Sequence, residues 1–107
     1  NGLVVAPDGS VAPREDWLYA VPARVLEALR AGGVIDRPVI RIFGHSAGGQ
    51  FVHRMLATQG FGPFEAAIAA NSGWYTLPTL DKPFPEGLGG LGLDEAALLR
   101  RITLLCR

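Results

Sequence analysis

Cysteine is almost missing from this chain: Cys106 is the one thiol in 107 residues, so no internal disulfide framework holds the fold. A lone cysteine leaves the redox compartment open. Its place in the apolar run from Ile102 to Cys106 reads as a buried strand thiol rather than a reactive one. An excess of charge of one sign is also missing. Ten basic residues balance ten acidic ones, which argues against nucleic acid or an anionic membrane surface as a partner. No apolar stretch approaches the roughly 18 residues of a membrane span, and there is neither an internal repeat nor a low-complexity tract. Histidine is scarce, at His45 and His53 only, which limits the general bases on offer. What the chain does have is a hydrophobic content of 49%, suited to one buried core, in a length that makes at most one domain.

Residue 1 is Asn rather than Met, and Gly2 to Ala6 reads at once as a short buried strand closed by the turn Pro7-Asp8-Gly9. Another strand-like run, Ile102 to Leu105, lies just before Arg107. Both ends read as cut, so the expectation is a partial domain over residues 1–107, truncated at both ends. Such a chain carries no information on secretion, and its cellular location stays unknown.

Between the ends the elements alternate. Trp17, Leu18, Val21, Val25 and Leu29 fall on one helical face, with Glu15 and Asp16 at its start and Gly32-Gly33 at its end. Pro22 sits either in the first turn of that helix or at a kink between two short pieces. Val39, Ile40, Ile42 and Phe43 form a strand. Phe51, Val52, Met55 and Leu56 then recur at helical spacing up to Gly60. Phe64 to Asn71 reads as a buried strand. Residues 72–93, with four glycines after Gly73 and three prolines, form an irregular excursion that suits a lid or a static connection equally. Asp94 caps a final helix through Arg101, with Ala96, Ala97, Leu98 and Leu99 facing inward, and a last strand follows. This order predicts an α/β fold: a mainly parallel sheet with flanking helices. A truncated sheet of this kind presents apolar faces and unpaired edges, so self-association is expected.

The chemistry centres on Gly44-His45-Ser46-Ala47-Gly48, placed between the second strand and the helix that follows it. A Gly-x-Ser-x-Gly there has the context of a nucleophile elbow, in which a strained serine projects its hydroxyl above the carboxyl end of a parallel sheet. Ser46 is the candidate nucleophile. Gly44 and Gly48 are expected to be glycine because a Cβ at either position would collide with the neighbouring strand or helix. The Ala47 N–H opens the helix and points where an oxyanion would form, so the amide and the helix dipole favour the same negative charge. His45 adjoins Ser46 in sequence, but alternate residues around a tight turn point apart, so it reads as a packing or hydrogen-bonding residue rather than the base. The bland alternative is a glycine-rich strand-to-helix turn with an idle serine.

The stretches GHSAGGQFVHR (44–54), AAIAANSGWYTLP (66–78) and FPEGLGG (84–90) resemble the central section of bacterial α/β-hydrolases of the polyhydroxybutyrate depolymerase and feruloyl esterase branch. The resemblance implies a partial α/β-hydrolase fold. In it, Asn1 to Gly9 would hold the strand before the elbow strand, and Ile102 to Arg107 the later strand after which the family places its acidic triad member. The family's histidine lies farther on.

A serine hydroxyl needs an imidazole to take its proton, and that imidazole needs a carboxylate to hold its tautomer. His53 lies seven residues beyond Ser46, roughly 10 Å along a helix leading away from it, and cannot reach Oγ. Neither Asp81 nor Asp94 follows the last strand. The chain thus holds a nucleophile and one oxyanion amide, without base, acid or second donor. The expected activity is hydrolysis of a small-molecule or polymeric carboxylic ester through an acyl-enzyme, with no metal or organic cofactor. The alternatives are a peptidase or acyltransferase with the same elbow, and a catalytically incomplete remnant that only binds. Trp74 and Tyr75, after Asn71-Ser72-Gly73, are candidate substrate contacts, because ligands bind at the carboxyl ends of parallel strands. They serve equally well as aromatics that pin the excursion to the core.

Overall fold

An alternation of half-buried and exposed residues from Ile40 onward is the period of a strand covered on one face, and it forms β1 (Ile40–His45). The computed structural model describes residues 2–38 and 40–105, so Val39, expected in this strand, lies outside the described residues, as does Cys106. β1 leads into α2 (Ala47–Gln59), which follows α1 (Val21–Ala31) in the chain. β2 (Phe64–Ala70) then pairs parallel to β1, with Ile42 opposite Ala67, Phe43 opposite Ile68 and Gly44 opposite Ala69. Together with α3 (Glu95–Leu105) these make the expected α/β arrangement: a parallel strand pair joined through a helix. The helix covers one face of the pair, with Val52, Met55 and Leu56 buried beneath it. On the other face the cross-strand partners Phe43 and Ile68 are 66% and 59% exposed.

Three expectations change. The first strand, over Gly2 to Ala6, is reduced to a single antiparallel bridge between Val5 and Val11. The turn at Pro7 to Gly9 folds the segment back on itself, with Ala6 N–H donating to the Ser10 carbonyl and Ala12 N–H to that of Val4. A strand needs a neighbour, and this one finds only its own return. Residues 102–105 continue α3 rather than forming a strand, since no sheet edge meets them among the described residues. In the same helix only Leu98 of the four inward-facing candidates is buried, while Ala96 and Leu99 are exposed; consecutive residues cannot share one helical face. Asp94 does cap the helix, accepting the Ala97 N–H at 2.6 Å.

Pro22 falls in the first turn of α1, where its missing N–H costs nothing; Trp17 sits between the two short 3₁₀ turns that precede the helix, and Tyr19 lies in the second. Both aromatics are buried, and the Trp17 Nε1–H donates to the Ala12 carbonyl at 2.8 Å. Leu18, Val21, Val25 and Leu29 instead line an open apolar groove of about 430 Å³ beside Ile40 and Ile42. Among the described residues no helix is long and apolar enough to cross a membrane.

The excursion is fastened down rather than loose. Leu88, Leu91 and Leu93 enter the core with Val4, Trp17 and Met55, each full burial contributing about 1.5–3 kcal/mol. Its outward and return limbs are tied by Leu77 N–H to the Glu86 carbonyl and by Leu88 N–H to that of Thr79. Two α2 side chains hold its first residues. Arg54, only 9% exposed, donates from Nε to Thr76 Oγ1 at 3.0 Å and lays its guanidinium over the Trp74 ring at 5.2 Å. Thr76 in turn donates to the Pro85 carbonyl at 2.8 Å. His53 faces the Trp74 carbonyl through Nε2 at 3.4 Å and stacks obliquely on Tyr75, with ring centroids 5.0 Å apart.

Burial against this segment is the main cause that lowers the His53 pKa, and the Arg54 charge acts in the same direction; the Trp74 carbonyl opposes both. The unfolded chain therefore binds a proton at His53 before the folded one does. Stability contributed there is intact above about pH 6.5 and falls as pH drops through the folded-state value. Unfolding midpoints measured from pH 7.5 down to 5 should fall in the wild-type protein and flatten in His53→Gln.

Candidate active site

Ser46 occupies the one residue between β1 and α2, at φ 56° and ψ −118°. That backbone conformation is rare for a residue with a Cβ and costs on the order of 1–3 kcal/mol, so the surroundings must impose it. They do so through both its peptide groups. The Ser46 N–H donates to the Ala70 carbonyl at the end of β2, and its own carbonyl accepts the Gln50 N–H in the first turn of α2, both at 3.0 Å. The Ser46 side chain makes no capping bond to the helix, and the residue is exposed. Ala47 is the first residue of α2, where backbone N–H groups have no partner within the helix. An exposed hydroxyl thus sits beside the positive end of a helix, at the carboxyl end of a parallel strand pair.

The glycines around this turn are not all needed for the reason expected. A Cβ on Gly44 would lie 2.1 Å from the Gly48 carbonyl oxygen and 2.8 Å from Val52 Cγ2, so β1 and α2 touch through Gly44. A Cβ on Gly48 would meet nothing within 4 Å, which corrects the expected collision there. The residue that must be glycine is Gly49, whose Cβ would lie 2.6 Å from Ser72 Oγ and 2.7 Å from the Ala70 carbonyl oxygen. The pattern Gly48-Gly49 left the choice between them to tertiary packing.

His45 is exposed and its Nε2 accepts a hydrogen bond from Asn71 Nδ2 at 3.0 Å. Asn71, at φ 49°, ends β2 in the left-handed region that asparagine tolerates better than most residues. His53 sits about 10 Å down the helix from Ser46, as its spacing implies. Trp74 and Tyr75 are 44% and 49% exposed and lie beside His53 and Arg54 rather than beside the serine. Sequence reasoning missed Arg54 and Gly49. No local signal singles out Arg54, and only its burial against Thr76 and Trp74 reveals a fastening role. Among the described residues no three His, Cys, Asp or Glu side chains are placed to hold a metal ion.

The contrast between the adjacent glycines is testable. Gly49→Ala should destabilise the protein by about 1–3 kcal/mol, since the Ala70 backbone must shift. Gly48→Ala, in open space on a helix, should be neutral or stabilising by up to about 1 kcal/mol. Urea unfolding of the two variants checks both.

No protein-family model and no curated protein sequence matches the chain. Solved structures similar to it include the following two. LpqC, a poly(3-hydroxybutyrate) depolymerase from Bordetella parapertussis, superposes with a TM-score of 0.89 at 50% sequence identity over 94% of this chain. Poly(aspartic acid) hydrolase-1 from Sphingomonas sp. KT-1 superposes with a TM-score of 0.86 at 38% identity, again over 94% of the chain. The chain spans 34% of the first protein and 38% of the second. By fold and by sequence it is a partial α/β-hydrolase-type fold, corresponding to about a third of the architecture of these two proteins.

Proposed function

We propose that the full-length protein is a serine hydrolase of carboxylic esters, polymeric ones in particular, and that Ser46 is its nucleophile. The observation that carries this reading is the exposed serine at positive φ between a parallel strand and a helix. A backbone strained at one exposed polar residue, with that residue's side chain spared from capping, is hard to account for by stability alone. The similarity to a poly(3-hydroxybutyrate) depolymerase at 50% identity supports the ester class.

In this mechanism Ser46 Oγ attacks the ester carbonyl carbon while a general base takes its proton. The carbonyl π electrons move onto oxygen, and the Ala47 N–H at the helix N-terminus stabilises that oxyanion. The oxyanion collapses, the C–O bond to the alcohol breaks, and the base returns its proton to the leaving oxygen. Water, activated by the same base, then releases the acid from Ser46. The chemistry as written uses no metal or organic cofactor. Neither histidine of this chain suits the base: His45 is engaged by Asn71, and His53 is about 10 Å down α2. The base, its carboxylate and a second oxyanion donor are assigned to the rest of the protein, since both similar structures are more than twice as long as this chain. Trp74 and Tyr75 stay candidate contacts for a substrate long enough to reach beyond the turn.

Amide hydrolysis through the same acyl-enzyme is the second reading, favoured by the 38% identity to a poly(aspartic acid) hydrolase. It differs only in the leaving group, which must be protonated as an amine. Treating the full-length protein with a fluorophosphonate and measuring intact mass should give one adduct on Ser46, absent in Ser46→Ala. Paired ester and amide oligomers separate the two readings. Residues 1–107 alone should turn over esters at least about a thousandfold more slowly than the full-length protein, because triad members act as a unit.

A further inference from the structure

Ser46 and Asn71, neither of them glycine, take left-handed backbone conformations at the carboxyl ends of two adjacent parallel strands. They are linked reciprocally. The Ser46 N–H donates to the carbonyl of Ala70, the residue before Asn71, at 3.0 Å. Asn71 Nδ2 donates to Nε2 of His45, the residue before Ser46, also at 3.0 Å. His45 and Ala70 are themselves paired in the sheet register. Each strained residue is thus held through its predecessor by the other strand.

The side-chain bond between Asn71 and His45 is exposed, so it does not exist to satisfy a buried polar group. What it does is geometric. Accepting at Nε2 leaves the neutral imidazole proton on Nδ1 and fixes the ring over the end of β2. The bond directs the His45 ring toward Asn71 at the end of β2. The His45 backbone, which delivers the chain to Ser46, is tied on the side-chain side as well as through the ladder.

We propose that Asn71 is a positioning residue for Ser46: acting through His45, it holds the last residue of β1 so that the serine keeps the backbone conformation that presents its hydroxyl. The proposal rests on the serine-hydrolase reading given above. It assigns Asn71 no contact with substrate.

The test uses the full-length protein. Asn71→Gly keeps the left-handed backbone, which glycine enters freely, and deletes only the amide. His45→Ala deletes the acceptor, and the double variant completes the cycle. The rate of Ser46 modification by a small fluorophosphonate, kcat and KM on a small ester, and the thermal midpoint are measured for all four proteins. Each single variant should slow acylation and lower kcat about tenfold with KM little changed, as a sub-ångström misplacement of a nucleophile would. The double variant should be no slower than the slower single, because both remove the same bond. The proposal is overturned if Asn71→Gly labels as fast as wild type, if the single effects multiply in the double variant, or if the rates recover once corrected for the folded fraction. A wild-type protein that forms no adduct overturns the hydrolytic reading and this proposal with it. A labelled protein indifferent to Asn71→Gly overturns this proposal alone.

Discussion

The hydrogen bond from the Ser46 amide to the Ala70 carbonyl ties the strained bend at Ser46 to the end of the neighbouring strand. Everything at the site follows from how closely the two strands and α2 meet there. Gly44 lets α2 lie against β1, and Gly49 lets the same helix lie against the end of β2. With a side chain at either position the helix would have to move away. The bend at Ser46 would then lose the support that offsets its strained conformation.

α2 carries that constraint outward. Its first turn is fixed by Ser46 and Gly49, and its second and third turns present His53 and Arg54 to the excursion that follows β2. The Arg54 charge is buried with no carboxylate at ion-pair distance among the described residues. Thr76 Oγ1 and the face of Trp74 take its place, which makes the helix and the excursion one packed unit. The same charge and the same burial bear on His53 and on Tyr19, whose phenol pKa is raised by burial while Arg54 opposes the shift. On the other side of the strand pair Phe43 and Ile68 stand exposed, and on the α2 side the apolar face of α1 lines an open groove beside Ile40, Ile42 and Phe51. In a complete α/β layer such surfaces are covered.

The hydrolytic reading divides the chemistry between this segment and the rest of the protein. The segment contributes what depends on one bend, namely a presented hydroxyl and a helix-terminal amide. Proton transfer depends on groups brought from other strands. That division is natural for a layered sheet, because residues far apart in sequence meet at the carboxyl ends of parallel strands.

Much of this was legible in the residues themselves. β1, α2 and β2 follow from local periodicity: an apolar β-branched run, a helical recurrence of Phe51, Val52, Met55 and Leu56, and a small-residue strand after Gly62-Pro63. Asp94 announced its helix, while Pro22 left a first turn and a kink both open until the structure put it in the first turn. The misreadings share a cause. Gly2 to Ala6 and Ile102 to Leu105 have strand-like composition, but a strand is made by its partner: the first segment meets only its own return through the Val5–Val11 bridge, and the second continues a helix. Gly48 and Gly49 are indistinguishable as letters, and only the approach of Ala70 and Ser72 selects the second. By itself the sequence determined the strand-turn-helix order and placed a serine at its bend, because those depend on neighbours in the chain. Tertiary structure alone decided that Ala70 would hold that serine, that Asn71 would reach His45, and that Arg54 would lie buried over Trp74, because each contact joins residues 20 or more positions apart whose meeting depends on parallel pairing.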